Sequence, residues 1–155
     1  MIDSNGFRAN VGIVLGNQQG KVFWARRHGQ NTWQFPQGGI DEHESPRQAM
    51  FRELYEETGL TENHVEIIGQ TDDWLRYRIP DHLLRRHSKP LCIGQKQIWF
   101  YLHLTGSEKD VNLCCTGHPE FDCWRWIDYW KPVDEIVAFK RKVYQQALTQ
   151  LERFV

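Results

Sequence analysis

With 155 residues, 40% hydrophobic and 25% charged, the chain has the size and composition of one globular domain, residues 1–155, large enough to need no staples around its core. Nineteen Lys and Arg against twenty Asp and Glu leave a net charge of -1, which excludes a polyanion binder working by bulk charge. No stretch approaches the roughly 18 uninterrupted apolar residues of a membrane span, and Met1 to Gly6 lack the basic and apolar regions of a signal peptide. The expectation is a soluble, cytoplasmic, monomeric protein with no membrane association. Cys92, Cys114, Cys115 and Cys123 form no two-residue-spaced pair and read as free thiols, and the seven histidines fall into no metal-ligand spacing.

In chain order, strands are predicted over Asn10 to Leu15 and Lys21 to Arg27, joined as a hairpin by the Gly16-Asn17-Gln18-Gln19-Gly20 turn. A helix follows over Pro46 to Thr58. Ser45 is its N-cap, Pro46 suits the first turn, Gln48 completes a capping box and Gly59 stops it. Its periodicity puts Met50, Phe51, Leu54 and Tyr55 on the face toward a sheet. Further strands are expected at Val65 to Thr71, Trp74 to Ile79, Gln95 to Leu104 and Trp124 to Ile127, and a last helix over Val137 to Arg153. Strands and helices mixed in one domain point to an α/β sheet covered by helices. Trp124, Trp126 and Trp130 read as core or sheet-covering residues, and Trp33 and Phe35 as packing under the Gly38-Gly39 loop.

The balanced net charge hides a partition. Residues 41–66 carry eight acids against Arg47 and Arg52, whereas residues 74–96 carry six bases against Asp81. Lys140, Arg141, Lys142 and Arg153 make the C-terminal stretch basic as well. The Arg85-Arg86-His87 run reads either as plain surface or as an electrostatic guide for a polyanion.

The acids of the first helix are the most informative feature. Glu53, Glu56 and Glu57 lie at i,i+3 and i,i+4 spacing in the last turns, where like-charge repulsion and the helix dipole each cost a fraction of a kcal/mol. They are either a solvated face screened by Arg52 or a set of oxygen ligands for a divalent cation. That cation is most readily magnesium, with manganese as an alternative. Gly38 and Gly39, ahead of the helix, would let backbone approach such a cation or a phosphate.

Taken together, Gly38-x5-Glu44-x7-Arg52-Glu53-Leu54-x-Glu56-Glu57-x-Gly59-Leu60 matches every fixed position of the Nudix hydrolase signature. One departure is His43, where many members have glycine. The resemblance implies an α/β/α sandwich with a mixed sheet between helices and a loop-helix-loop over residues 38–60. It also implies cleavage of a nucleoside diphosphate linked to another moiety. By that pattern Glu53, Glu56 and Glu57 hold divalent metal and Glu53 and Glu57 are the catalytic acids, with Glu53 sharing in activating water. Arg52 and Glu44 orient the helix.

Beyond the signature, Gly6 to Gly12, Trp33 to Gly39, Trp74 to Tyr77, Cys92 to Gln97, Pro119 to Trp126 and Val137 to Arg141 resemble the RNA pyrophosphohydrolase branch of that family. The branch acts on the 5′-triphosphate end of messenger RNA and exposes it to decay. The resemblance implies that Glu120 is a further metal ligand, that Arg8, Gln95 and Lys140 grip phosphates, and that Tyr77 adds a hydroxyl. It further implies that Arg27 and Phe139 sandwich a base; Phe139 taken alone, on a helix, reads more often as core than as a stacking platform. The readings carried forward are an RNA 5′-pyrophosphohydrolase, a hydrolase of diadenosine polyphosphates, and a non-catalytic module binding RNA ends or nucleotides.

Overall fold

The computed structural model describes residues 1–155. Eight strands form one mixed sheet: β1 (Phe7–Gly16), β2 (Val22–Arg27), β3 (Trp33–Gln34), β4 (Gln37–Gly39), β5 (Val65–Gln70), β6 (Leu75–Arg78), β7 (Gly94–Leu104) and β8 (Phe121–Ile127). The path runs β3-β2-β1-β7-β5, with β4 added to β1, β6 to β7 and β8 to β2. Its axis is the parallel pair β1 and β7, in register from Phe7↔Gly94 to Gly16↔His103. Every other pairing is antiparallel.

Three helices, α1 (Pro46–Thr58), α2 (Lys131–Glu135) and α3 (Arg141–Leu151), complete the layers. Alternation along β1 divides the interior in two. Val11, Ile13 and Leu15 join Phe23, Phe100, Met50 and Leu54 under α1. Val14 joins Trp24, Phe35, Trp99, Tyr101, Tyr144 and Leu148 under α3. The expected α/β/α sandwich is what forms. Gly12 is required on the second face, because a Cβ there would meet the Trp99 indole at 2.3 Å. No helix is long and apolar enough to cross a membrane.

The ends of α1 are built as the sequence indicates. Ser45 accepts from the Gln48 N–H, the Gln48 side chain answers to the Ser45 N–H, and Gly59 closes the helix at φ 75°. Its buried face differs from the expected one. Tyr55 is 46% exposed and Phe51 only half-buried, while Ala49, Glu53, Glu57 and Thr58 turn inward with Met50 and Leu54. The helix is rolled so that two of its acids face the edge of β4.

Other expectations need correction. The β1–β2 hairpin is open, with Gly16↔Val22 its one registered pair, because β1 is already flanked by β4 and β7. The final helix starts at Arg141, and Ala138–Lys140 form a separate 3₁₀ turn. The two-residue β3, three-residue β4 and five-residue α2 are too short to show a period in sequence. Phe35 packs under α3 against Tyr144, Trp24 and Trp99 rather than beneath the glycine loop. Trp33 is half-buried with the Arg125 guanidinium 4.4 Å from its ring. Trp124 stacks on Phe23 as expected, whereas Trp130 is largely exposed.

His43 adopts φ 68°, the left-handed conformation that glycine takes without strain. Its exposed imidazole gains only a 3.8 Å approach to Glu42. His43→Gly should therefore stabilise the fold by about 1 kcal/mol in urea denaturation. A loss of stability would show that the imidazole has a compensating contact.

Candidate functional site

Glu53, Glu56, Glu57 and Glu120 line a cavity of about 280 Å³ together with Thr116 and His118. α1 supplies three of these carboxylates, and the loop before β8 supplies the rest of the wall. Arg52 dominates the local electrostatics. Its guanidinium donates to both oxygens of Glu44 at 2.8 and 2.9 Å, to Glu53 at 2.8 Å, to Glu56 at 3.3 Å and to the Gly39 carbonyl at 2.8 Å. The hydrogen bonds from Arg52 hold the Glu44 carboxyl below the ordinary carboxylate range. Arg52 therefore ties the glycine loop to the helix. Gly38 is needed for the same closure, since a Cβ there would meet the Glu53 carboxylate carbon at 1.9 Å.

Glu57 stands apart. It is 5% exposed, and the Gln37 N–H donates to its Oε2 at 3.1 Å. Burial pushes its pKa well above the ordinary value, and the Glu53 and Glu120 charges push it further. Burial also raises Glu53, with Arg52 opposing. Gln37 is anchored in turn by a buried amide network. The Gln97 side-chain amide donates to Asn10 at 2.8 Å and to the Gln37 side chain at 3.2 Å, while its carbonyl accepts from the Trp99 indole. Sequence reasoning missed this network, as well as Thr116 and His118. Its only trace in sequence is polar residues inside otherwise apolar strands.

A second cavity, about 410 Å³, adjoins the first through Arg27, whose guanidinium lies 3.5 Å from Glu120. Phe139, Lys140, Trp33 and Gln34 line it with Arg27. The buried Arg27 Nε has no hydrogen-bond partner. Phe139 is half-buried, its ring 5.9 Å from Tyr77, so it is at once attached to the core and open to the cleft. Lys140 is buried, with Nζ 5.7 Å from the Tyr77 ring. Burial, and secondarily Arg27, pull its pKa down to about 8. Tyr77 donates its hydroxyl to Gln95 at 2.7 Å. Arg8 and Gln95, paired across β1 and β7, line a third cavity and not this one. The expected phosphate-gripping trio of Arg8, Gln95 and Lys140 is thus divided, with Tyr77 between its two parts.

A loop-helix-loop that turns buried acids toward a cleft is the form the signature implies, and the sequence matches the NUDIX domain over residues 6–147. The chain belongs to the Nudix family. A protein named RNA pyrophosphohydrolase from Thioalkalivibrio sulfidiphilus is 62% identical over 151 residues, covering 97% of this Nudix chain and 87% of its own. One of the same name from Methylococcus capsulatus is 59% identical over 153 residues, covering 99% and 80%. Among solved structures, the E. coli dihydroneopterin triphosphate pyrophosphohydrolase superposes with a TM-score of 0.71 at 20% identity, over 92% of this chain and 97% of that one. A C. elegans Ap4A hydrolase complex gives 0.63 at 18%, over 90% and 93%. These two likenesses show the fold.

Nudix hydrolases need a divalent metal. The donors here suit one: hard oxygen ligands, and a buried Glu57 whose charge no cation of the protein balances. They are not drawn together into a closed ligand set. Because Glu57 is raised in the folded state, the metal-free fold binds more protons than the unfolded chain. Glu57 therefore costs stability increasingly as pH rises above its ordinary value of 4.5. Glu57→Gln should raise the melting temperature of the metal-free protein, more so near pH 7 than near pH 5. Magnesium or manganese should stabilise the wild type and much less the variant. Equal metal-induced shifts in both would remove Glu57 from the metal site.

Proposed function

We propose that this Nudix chain is a magnesium-dependent RNA 5′-pyrophosphohydrolase that converts 5′-triphosphate or diphosphate ends of messenger RNA to monophosphate and so opens the RNA to decay. It acts as a monomer in the cytoplasm, with residues 1–155 as one domain. The observation that carries the reading is Arg27, which bridges the carboxylate cavity and a cleft lined by Phe139 and Lys140. An unpaired base needs a planar cation and an aromatic ring, and its 5′ phosphates need a charged wall beside them. Relatives near 60% identity over nearly the whole chain carry the RNA pyrophosphohydrolase name.

In this reading Glu53, Glu56, Glu57 and Glu120 would hold the metal, which supplies charge neutralisation along the phosphates and a more acidic water. Glu53, fixed by Arg52, accepts a proton from the attacking water. The water oxygen bonds to phosphorus as a phosphoanhydride bond breaks, and pyrophosphate, or phosphate in single steps, leaves. Lys140 places a positive charge beside the stacked base, with Tyr77 and Gln95 extending the polar wall. Arg52 and Glu44 hold the glycine loop against the helix and touch no substrate.

The deciding assay offers 5′-triphosphorylated RNA and diadenosine tetraphosphate at equal concentration with magnesium. Faster release of monophosphorylated RNA is expected, with no turnover by Glu53→Gln. Preference for the dinucleotide would make this chain a diadenosine polyphosphate hydrolase, and turnover of neither would leave a binding module. Phe139→Ala should weaken RNA binding by about 1 to 3 kcal/mol. Affinity should fall steeply between about 50 and 200 mM salt, because the basic segments meet phosphates. Lys140 carries its charge below about pH 8 and loses it above. RNA affinity should therefore drop as pH rises through 8, and Lys140→Arg, which stays charged, should flatten that drop in a binding titration. A drop of equal size in the Arg variant would assign it to another group.

A further inference from the structure

The acidic cavity is graded in depth. Glu53 and Glu57 are buried at its floor, whereas the Glu56 and Glu120 side chains are 46% and 45% exposed at its mouth. The mouth acids are loosely held. Arg52 reaches Glu56 only at 3.3 Å and Arg27 reaches Glu120 only at 3.5 Å, against 2.8 Å from Arg52 to Glu53. His118 lines the same cavity and stands outside the 38–60 signature. Its backbone N–H donates to the Thr116 hydroxyl at 3.4 Å, and its exposed imidazole forms no ion pair or hydrogen bond with the chain. His43 and His64, by contrast, each approach a carboxylate.

The segment that carries His118 is fixed to the signature helix. The Asn112 N–H donates to the Thr58 carbonyl at 2.8 Å and the Cys115 thiol to the Tyr55 carbonyl at 3.0 Å, both in the last turn of α1. Gly59 makes room for this contact, since a Cβ there would lie 2.8 Å from the Asn112 carbonyl oxygen. On the far side the Glu120 carbonyl accepts from the His28 N–H at 2.8 Å. Pro119 disfavours a helical turn at His118, and the side chains flanking it reach one cavity. Backbone held at both ends, with side chains free to turn, suits a site that closes on its ion, since the donors are not drawn together beforehand. An imidazole nitrogen changes which ion that is. Carboxylates alone suit magnesium, whereas cobalt, nickel and zinc take imidazole readily. We infer that His118 joins Glu56 and Glu120 as a nitrogen ligand at the mouth of the cavity, forming a cation position that selects a first-row transition ion over magnesium. The inference rests on the reading of this cavity as a metal site and not on the identity of the substrate.

Cobalt(II) is the probe, followed in the whole chain by calorimetry and by X-ray absorption at one equivalent. The wild type should bind cobalt more tightly than magnesium and show imidazole scattering around the ion. His118→Ala should lose at least about tenfold in cobalt affinity, lose the imidazole scattering, and keep its magnesium affinity within about twofold. Glu57→Gln, which alters the floor and leaves the mouth intact, should retain the imidazole signal. Oxygen-only coordination in the wild type, or imidazole scattering that survives in His118→Ala, would overturn the inference and leave the carboxylate site standing. Sulfur scattering would overturn it by placing the ion on Cys114 or Cys115. Equal losses of cobalt and magnesium affinity in His118→Ala would do so as well, because a nitrogen ligand discriminates between the two ions. Failure of the wild type to bind either ion would overturn the metal reading of the cavity together with the inference.

Discussion

Four carboxylates face one small cavity against their mutual repulsion, and the Arg52 guanidinium is the contact that makes their approach tolerable. It binds Glu44, Glu53 and Glu56 and the backbone of Gly39, so charge balance and loop closure come from the same group. Its reach stops short of Glu57, which is left with a backbone N–H alone. The negative charge that Arg52 leaves uncompensated is therefore concentrated on the most buried acid. A hard cation would be most strongly held there, since a charge deep in protein attracts its opposite more than one in water does. The glycine at position 38 belongs to this arrangement, because any side chain would occupy the space of the Glu53 carboxylate.

The sheet sets the distances between the acidic cavity and the basic clefts. β1 carries Arg8 and Asn10 toward the α3 face and pairs with β4, whose Gly38 faces Glu53 of α1. The amides of Asn10, Gln97 and Gln37 bond to one another on the α3 side at the middle of the sheet, and the Gln37 N–H reaches Glu57 of α1. A buried network with every member bonded resists distortion better than apolar packing alone, since a broken bond leaves a polar atom without water. Acidic and basic walls are thereby held in fixed relation by a hydrogen-bonded spine.

Much of this was legible in the residues. The capping box, the Gly59 stop and the acids of α1 are local features, and local geometry follows from local sequence. The 38–60 signature is likewise a fixed spacing. The rotation of α1 was not legible, because Glu53 and Glu57 read as the polar face and only their partners, Arg52 and the Gln37 N–H, make their burial tolerable. The one-pair hairpin at β1 and β2 was misread for a related reason. A turn is encoded nearby, but whether the strands beyond it pair depends on what else claims their edges. Trp33 and Phe35, two residues apart, pack against the same core cluster, yet Trp33 lies at its margin on the cleft and Phe35 inside it, and no hydropathy pattern distinguishes two aromatics.

The parallel pair at the centre also governs when the site can exist during folding. Asn10 and Gln97 are opposite one another in register yet 87 positions apart along the chain. Closing a loop of that length costs entropy before any contact across it can repay the loss, so this pairing forms slowly relative to helices and hairpins. α1, with its own caps, can assemble early, carrying its acids on a helix that has no cavity to face. The cavity acquires its walls only when the ends of that loop meet. A nascent chain released before β7 is complete would hold the whole signature and none of the enclosure.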